Sequence, residues 1–135
     1  MYGSEAIYKV WANGKYELVI KDKKMGRPNG IVVDGNEMIV VSFGSGEVFR
    51  IDATGKQHAM PAPPKGGLDG LLMLEDGRLI MSSWGGSAIY VLNKKKTYSI
   101  LADSLDSPAD LGLDTKRNRL LIPLFKQNKL VFQAL

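Results

Sequence analysis

The sequence predicts an all-β fold of tandem four-stranded antiparallel meanders, about three in 135 residues. Three observations carry this. Short runs of β-branched and large apolar residues alternate with Gly/Asn/Asp turns, and no stretch keeps a 3.6-residue period. Gly30, Gly70 and Asp110 head three similar segments at intervals of 40 residues. A second series (Ile7–Val10, Val48–Ile51, Ile89–Leu92, Leu130–Phe132) begins 41 residues apart each time. A four-strand unit of about 40 residues repeated radially is the blade of a β-propeller, and a sandwich of meanders is the alternative.

The elements follow in order. Within each repeat, strand a covers 31–33, 71–74 and 111–113, and strand b covers 38–42, 79–82 and 119–122. Strand c covers 7–10, 48–51, 89–92 and 130–134, and strand d covers 16–20, 57–60 and 98–101. Asn13-Gly14 and Thr54-Gly55 join c to d, while Asp34-Gly35 and Asp76-Gly77 join a to b, residue types suited to tight hairpins. Strand a is continuously apolar, which predicts cover on both faces, and strand d is polar, which predicts an outer edge. Tyr98 and Trp11 are expected to pack between blades. The whole chain reads as one half-propeller domain: c-d strands over 7–22, then repeats at about 28–67, 68–107 and 108–135.

Thirteen strands make about three blades, and rings close with four to eight. The expectation is half of a six-bladed ring, closed by homodimerisation, with an unpaired piece of a longer parent as the alternative. Two copies supply 26 strands where six blades need 24, so Ile7–Val10 or Leu130–Leu135 would be displaced.

Composition removes other classes. Zero cysteines exclude disulfides and thiolate chemistry, and one histidine, His58, excludes a His-rich zinc site within one chain. No nucleophile elbow or phosphate loop occurs. The net charge of +4 is dispersed, and its dense runs, Lys21–Lys24 and Lys94–Lys96, read as solvated turns, so no nucleic-acid partner is expected. No apolar run reaches membrane-spanning length and no signal peptide is read at the N-terminus. The expectation is a soluble protein without a membrane partner, cytoplasmic by default, with the periplasm open for a longer parent.

Connectivity places the longer loops at one end of every blade. The d-to-a loops there include 25–29, 61–69 and 104–110, and the b-to-c loops include 43–46, 83–86 and 124–128. The residue just before strand a points into the channel mouth: Asn29, Asp69, and either Ala109 or Asp110. Phe43, Trp84 and Phe125 should sit above them. Converging oxygens suit a hard divalent cation, and an aromatic rim over a polar floor suits a small organic ligand. Asx-turns for the first set and simple blade packing for the second are the alternatives.

Pro28-Asn29-Gly30-Ile31, Leu68-Asp69-Gly70-Leu71 and the segment from Ser107-Pro108-Ala109-Asp110 through Asp114-Thr115-Lys116-Arg117-Asn118-Arg119 to Leu124 carry a family likeness. They resemble the C-terminal half of the gluconolactonase/regucalcin (senescence marker protein) family. The resemblance implies a six-bladed propeller with a divalent metal, Ca²⁺ by preference, in its channel, and hydrolysis of sugar lactones or related esters. It implies Asn29 and Asp69 as metal ligands and Asp69 as the catalytic base; in a ring closed by two copies, Asn29, Asp69 and Asp110 from both chains would face the axis as metal ligands. The family's N-terminal Glu ligand has no counterpart here, nor do the substrate-orienting residues of the earlier half. Weak activity or none is therefore expected, and an inert binding or structural module is the rival reading.

Overall fold

The computed structural model describes residues 5–135. Nearly all regular structure is antiparallel strand. A hairpin of β1 (Ala6–Val10) and β2 (Tyr16–Lys21) comes first. Two four-stranded meanders follow, β3 (Pro28–Asp34), β4 (Glu37–Ser42), β5 (Val48–Ile51) and β6 (Gln57–Ala59), then β7 (Leu68–Met73), β8 (Leu79–Ser83), β9 (Ala88–Leu92) and β10 (Tyr98–Ala102). A three-stranded sheet of β11 (Gly112–Asp114), β12 (Arg119–Leu124) and β13 (Lys129–Ala134) completes the chain. This is the all-β arc that the sequence predicts, about three blades' worth of strands spread over four positions: β1–β2 is a partial first blade, β3–β6 the second, β7–β10 the third, and β11–β13 a three-stranded fourth.

Turn chemistry sets the hairpins. Gly14 and Gly55 take φ of 81° and 82°, the left-handed region that side chains resist. Asp52 fixes its turn by accepting from the Thr54 and Lys56 amides at 2.9 and 3.1 Å. In the last sheet, Asp114 caps a short 3₁₀ turn by accepting from the Arg117 amide, and it also holds the Arg117 and Arg119 guanidinium groups.

Three apolar layers glue the blades face to face. Ile7 and Ile20 of the first blade pack with Met25, Val40, Phe49 and Ile51. Ile39, Val41 and Val48 of the second meet Leu68, Leu71, Met81, Tyr90 and Leu92 of the third. Ile80, Ile89 and Val91 of the third meet Leu111, Leu120, Ile122 and Leu124 of the fourth. Completely burying one such Leu, Ile or Val contributes roughly 1.5–3 kcal/mol. These layers are the main cohesive element of the arc. Tyr98 adds a strut, its hydroxyl donating to the Pro61 carbonyl at 2.8 Å, and burial pushes its phenol up to about 12.

Several details differ from the sequence expectation. Strand a is not covered on both faces everywhere: β7 is mostly buried, whereas β3 alternates and leaves Ile31 and Val33 exposed at 44% and 66%. The cause is position in the arc, because β3 faces a first blade that offers only two strands. Trp11 packs between no blades. It sits exposed at the tip of the first hairpin, with the Lys9 ammonium 5.0 Å from its ring centroid. Among the described residues, no helix is long and apolar enough to cross a membrane.

Candidate functional site at the channel mouth

Asn29 and Asp69 sit in β-bulges. Pairing jumps from Pro28↔Ser42 to Ile31↔Val40 in the second blade, and from Leu68↔Ser83 to Leu71↔Met81 in the third. In each, two residues (Asn29-Gly30, Asp69-Gly70) stand opposite one. A bulge bends the strand and re-aims a side chain. Glycine follows each polar residue because neighbouring first strands nearly touch there. A Cβ on Gly30 would lie 2.5 Å from the Asp69 carbonyl oxygen, and one on Gly70 would lie 2.7 Å from the Leu111 amide nitrogen.

The same register resolves the third position. Pro108 bridges Leu124 as Pro28 pairs with Ser42, and Gly70 abuts the Leu111 amide as Gly30 abuts that of Leu71. Ala109 therefore stands where Asn29 and Asp69 stand, and Asp110 occupies the glycine position. The Asp110 Oδ1 accepts from the adjacent Leu111 amide at 2.9 Å, one residue on rather than the two of an Asx-turn.

Asp69 is the chemically distinctive group. Its carboxyl is raised above the ordinary aspartate range, first by desolvation, with the Asp110 charge adding to it; the Trp84 and Asn29 side chains beside it pull the other way. The Trp84 indole nitrogen is buried and faces Asp69 without a well-formed hydrogen bond. Phe43, Trp84 and Phe125 form a continuous row: Phe43 meets Trp84 edge-on at 5.3 Å, and Trp84 meets Phe125 at 5.6 Å. The Arg27 guanidinium lies 5.9 Å from the Phe43 centroid and the Lys126 ammonium 5.8 Å from that of Trp84. The structure thus brings all the sequence-derived mouth residues to one end of the arc.

Residues that the sequence pattern did not single out hold this end together. Ser82, fully buried, accepts from the Gly70 amide and donates to the Ala109 carbonyl, both at 2.8 Å, latching the third blade to the fourth beneath Asp69. Ser42 and Ser83 donate to the Met25 and Gly66 carbonyls, tying each d-to-a loop to its own blade. Glu5 accepts the Arg27 amide at 2.9 Å, while its second oxygen is buried without a partner among the described residues. Bare backbone interleaves at the rim: a Cβ on Gly46 would lie 2.7 Å from the Gly66 Cα, and one on Gly85 would lie 2.8 Å from the Gly66 oxygen. The signal for the serines was their place directly before, or one residue further before, the aromatic of each b-to-c loop.

Among the described residues, no group of three or more His, Cys, Asp or Glu side chains is arranged to hold a metal. Asn29, Asp69 and Asp110 fit a hard cation in kind, two carboxylates and an amide, but fall short of the six to eight oxygens of a full Ca²⁺ shell. A groove of about 670 Å³ on the opposite rim is lined in part by Arg50, His58, Met60, Met73 and Lys94. Its guanidinium is already committed to Asp34 and Glu37, and it contains none of the mouth residues.

No protein-family model matches the sequence, and no curated protein does. Solved structures do match. A calcium-binding regucalcin from Agrobacterium tumefaciens shares 21% identity at a TM-score of 0.74, over 96% of this chain and 51% of its own. A gluconolactonase from Xanthomonas campestris shares 18% at 0.73, over 90% and 42%. A chain of a nidogen/laminin complex shares 18% at 0.75, over 87% and 48%. At these identities the likeness concerns the fold, and the chain spans about half the length of the structures it matches. The fold is that of a β-propeller, represented here by a three-blade arc.

Proposed function

We propose that this chain is half of a six-bladed ring related to the metal-dependent sugar-lactone and ester hydrolases, with its site at the channel mouth. The observation that carries the reading is Asp69: a partly desolvated carboxyl with a raised pKa, on a bulge between Asn29 and Asp110, beneath an aromatic row. A carboxylate so placed takes a proton from an attacking water more readily than an exposed one. Asn29, Asp69 and Asp110 would hold a divalent cation, Ca²⁺ by donor type, and the like-charged pair Asp69/Asp110 favours one. When bound, such a cation supplies Lewis acidity toward a carbonyl oxygen. Phe43, Trp84 and Phe125 cover one face of the ligand and shed water from it. The likeness to a gluconolactonase supports the class of substrate, and the likeness to a calcium-binding regucalcin supports the cation.

The test is hydrolysis of glucono-δ-lactone, followed by acid release with and without added Ca²⁺. Cation-stimulated turnover that drops at least about a hundredfold in Asp69→Ala, with unchanged circular dichroism, supports the reading. Equal rates for wild type and Asp69→Ala, or no stimulation, would overturn it. A second reading, an inert binding or structural module, is favoured by the likeness to a chain of the nidogen/laminin complex, and it predicts no stimulated activity.

A further inference from the structure

The two ends of the arc expose surfaces of the kind that its internal joints bury. On the first hairpin, Tyr8 pairs with Leu18 and Val10 with Tyr16, placing four apolar side chains on one face; Tyr16 is 72% exposed. Beside it, Ile31 and Val33 project from β3. At the other end, alternation buries Leu120, Ile122 and Leu124 of β12 against the third blade and turns Leu121 and Pro123 outward. There they join their cross-strand partners Leu130 and Phe132, the last 52% exposed. One end lacks the two inner strands of a blade, and the other has inner strands but no fourth strand. The ends therefore complement each other once one of β1 and β13, which hold the same place in a blade, is displaced.

We propose that a second copy of this chain is the occupant of both ends. Two identical joints close the ring, and the fourth blade of each copy packs on β3 of the other. This rests on the half-ring reading above and names its partner. The joint differs from the two inside the chain. Gly30 and Gly70 let adjacent first strands approach until a Cβ would fall 2.5–2.7 Å from backbone. At the third corresponding position stands Asp110, whose Cβ needs the space that the next strand would take. The inter-copy joints are consequently wider than the internal ones, and each brings an Asp110 carboxylate beside the partner's Asn29. The mouth then draws its polar groups from both copies, and neither copy alone presents the full set.

The experiment uses the whole chain, which has no cysteine to interfere. Light scattering should give twice 14.8 kDa at micromolar concentration; 14.8 kDa, or a concentration-dependent series of larger species, overturns the proposal. The double variant Ile31→Cys/Asp110→Cys, oxidised, should give a dimer linked 31-to-110 between copies. Within one copy, β7 stands between the two positions, so an intramolecular link, a ladder of polymers or no link counts against it. Asp110→Gly should restore the close approach and tighten dimerisation roughly tenfold, by sedimentation; an unchanged or weaker dimer refutes the role given to Asp110. None of these readouts involves hydrolysis, so the failure of either reading is visible separately.

Discussion

Gly70→Ala tests the packing that positions the site. The new Cβ would meet the Leu111 nitrogen at 2.7 Å, the Asp110 Cα at 2.9 Å and the Leu111 Cγ at 2.9 Å. Two of these three atoms are backbone or Cα, so no rotamer change relieves them. Reaching an ordinary contact of about 3.5 Å requires the third and fourth blades to part by about 0.8 Å. That separation loosens the layer of Ile80, Ile89, Leu120 and Ile122 and stretches the hydrogen bond from Ser82 to the Ala109 carbonyl, which crosses the same joint. Overpacking of this sort costs about 1–3 kcal/mol. Urea unfolding should show a midpoint lowered by about 0.5–2 M with an unchanged slope. Gly77→Ala is the control: its φ is 83° but its Cβ would meet only the tip of Lys94 at 3.6 Å, so backbone strain alone acts, costing about 1–2 kcal/mol. The decisive comparison is in the site. Gly70→Ala should change Trp84 fluorescence and Gly77→Ala should not. A Gly70→Ala protein with wild-type stability and spectrum would mean that the blades do not meet as closely as the bulge geometry requires.

Three further outcomes follow. Ser82→Ala leaves the buried Gly70 amide and Ala109 carbonyl without this partner, and should lower stability by about 1–3 kcal/mol in thermal melts monitored by circular dichroism. Tyr98→Phe should cost about 0.5–1.5 kcal/mol, and in the folded wild type the absorbance titration of one tyrosine should lag until about pH 12. Acid should destabilise the protein. Asp52 is held below its ordinary value by the Thr54 hydroxyl and His58, and Asp76 by the Arg78 amide and guanidinium. At Asp114, hydrogen bonds from Arg119 and Arg117 outweigh desolvation. Depressed folded values give stability that is complete above about pH 4, the unfolded aspartate value, and lost as pH falls through the folded values. Asp69, raised in the folded state, acts in the opposite sense and loses its share as pH rises. A urea midpoint that stays flat from pH 6 to pH 3 would contradict the first three.

The blade pattern is legible in the sequence because a meander is a local object. Its strands are consecutive, its turns carry Asn-Gly and Asp-Gly, and alternation needs no knowledge of distant residues. Exposure is not local. Ile31-Val32-Val33 and Leu71-Leu72-Met73 read alike, but β7 lies between a four-stranded and a three-stranded blade, whereas β3 has only a two-stranded hairpin on one side. The mouth was readable to the same extent. Asn29 and Asp69 were found from their place before strand a, whereas the choice between Ala109 and Asp110 required the bulge register, which the sequence leaves open by one residue. Ser82 escaped notice because a hydroxyl in a buried strand has no signature until its partners, on β7 and on the loop before β11, are in place.

The interleaved glycines at the rim have a consequence for how such a mouth can change over time. Gly46, Gly66 and Gly85 leave each other no room for a side chain, so the second- and third-blade side of the rim is closed to variation by single substitution. The stretch from Phe125 to Asn128 on the fourth blade, and Arg27, are exposed. Divergence in ligand preference is therefore channelled to the exposed residues on either side of this glycine seam, and a library meant to retarget the mouth should be built on those five positions.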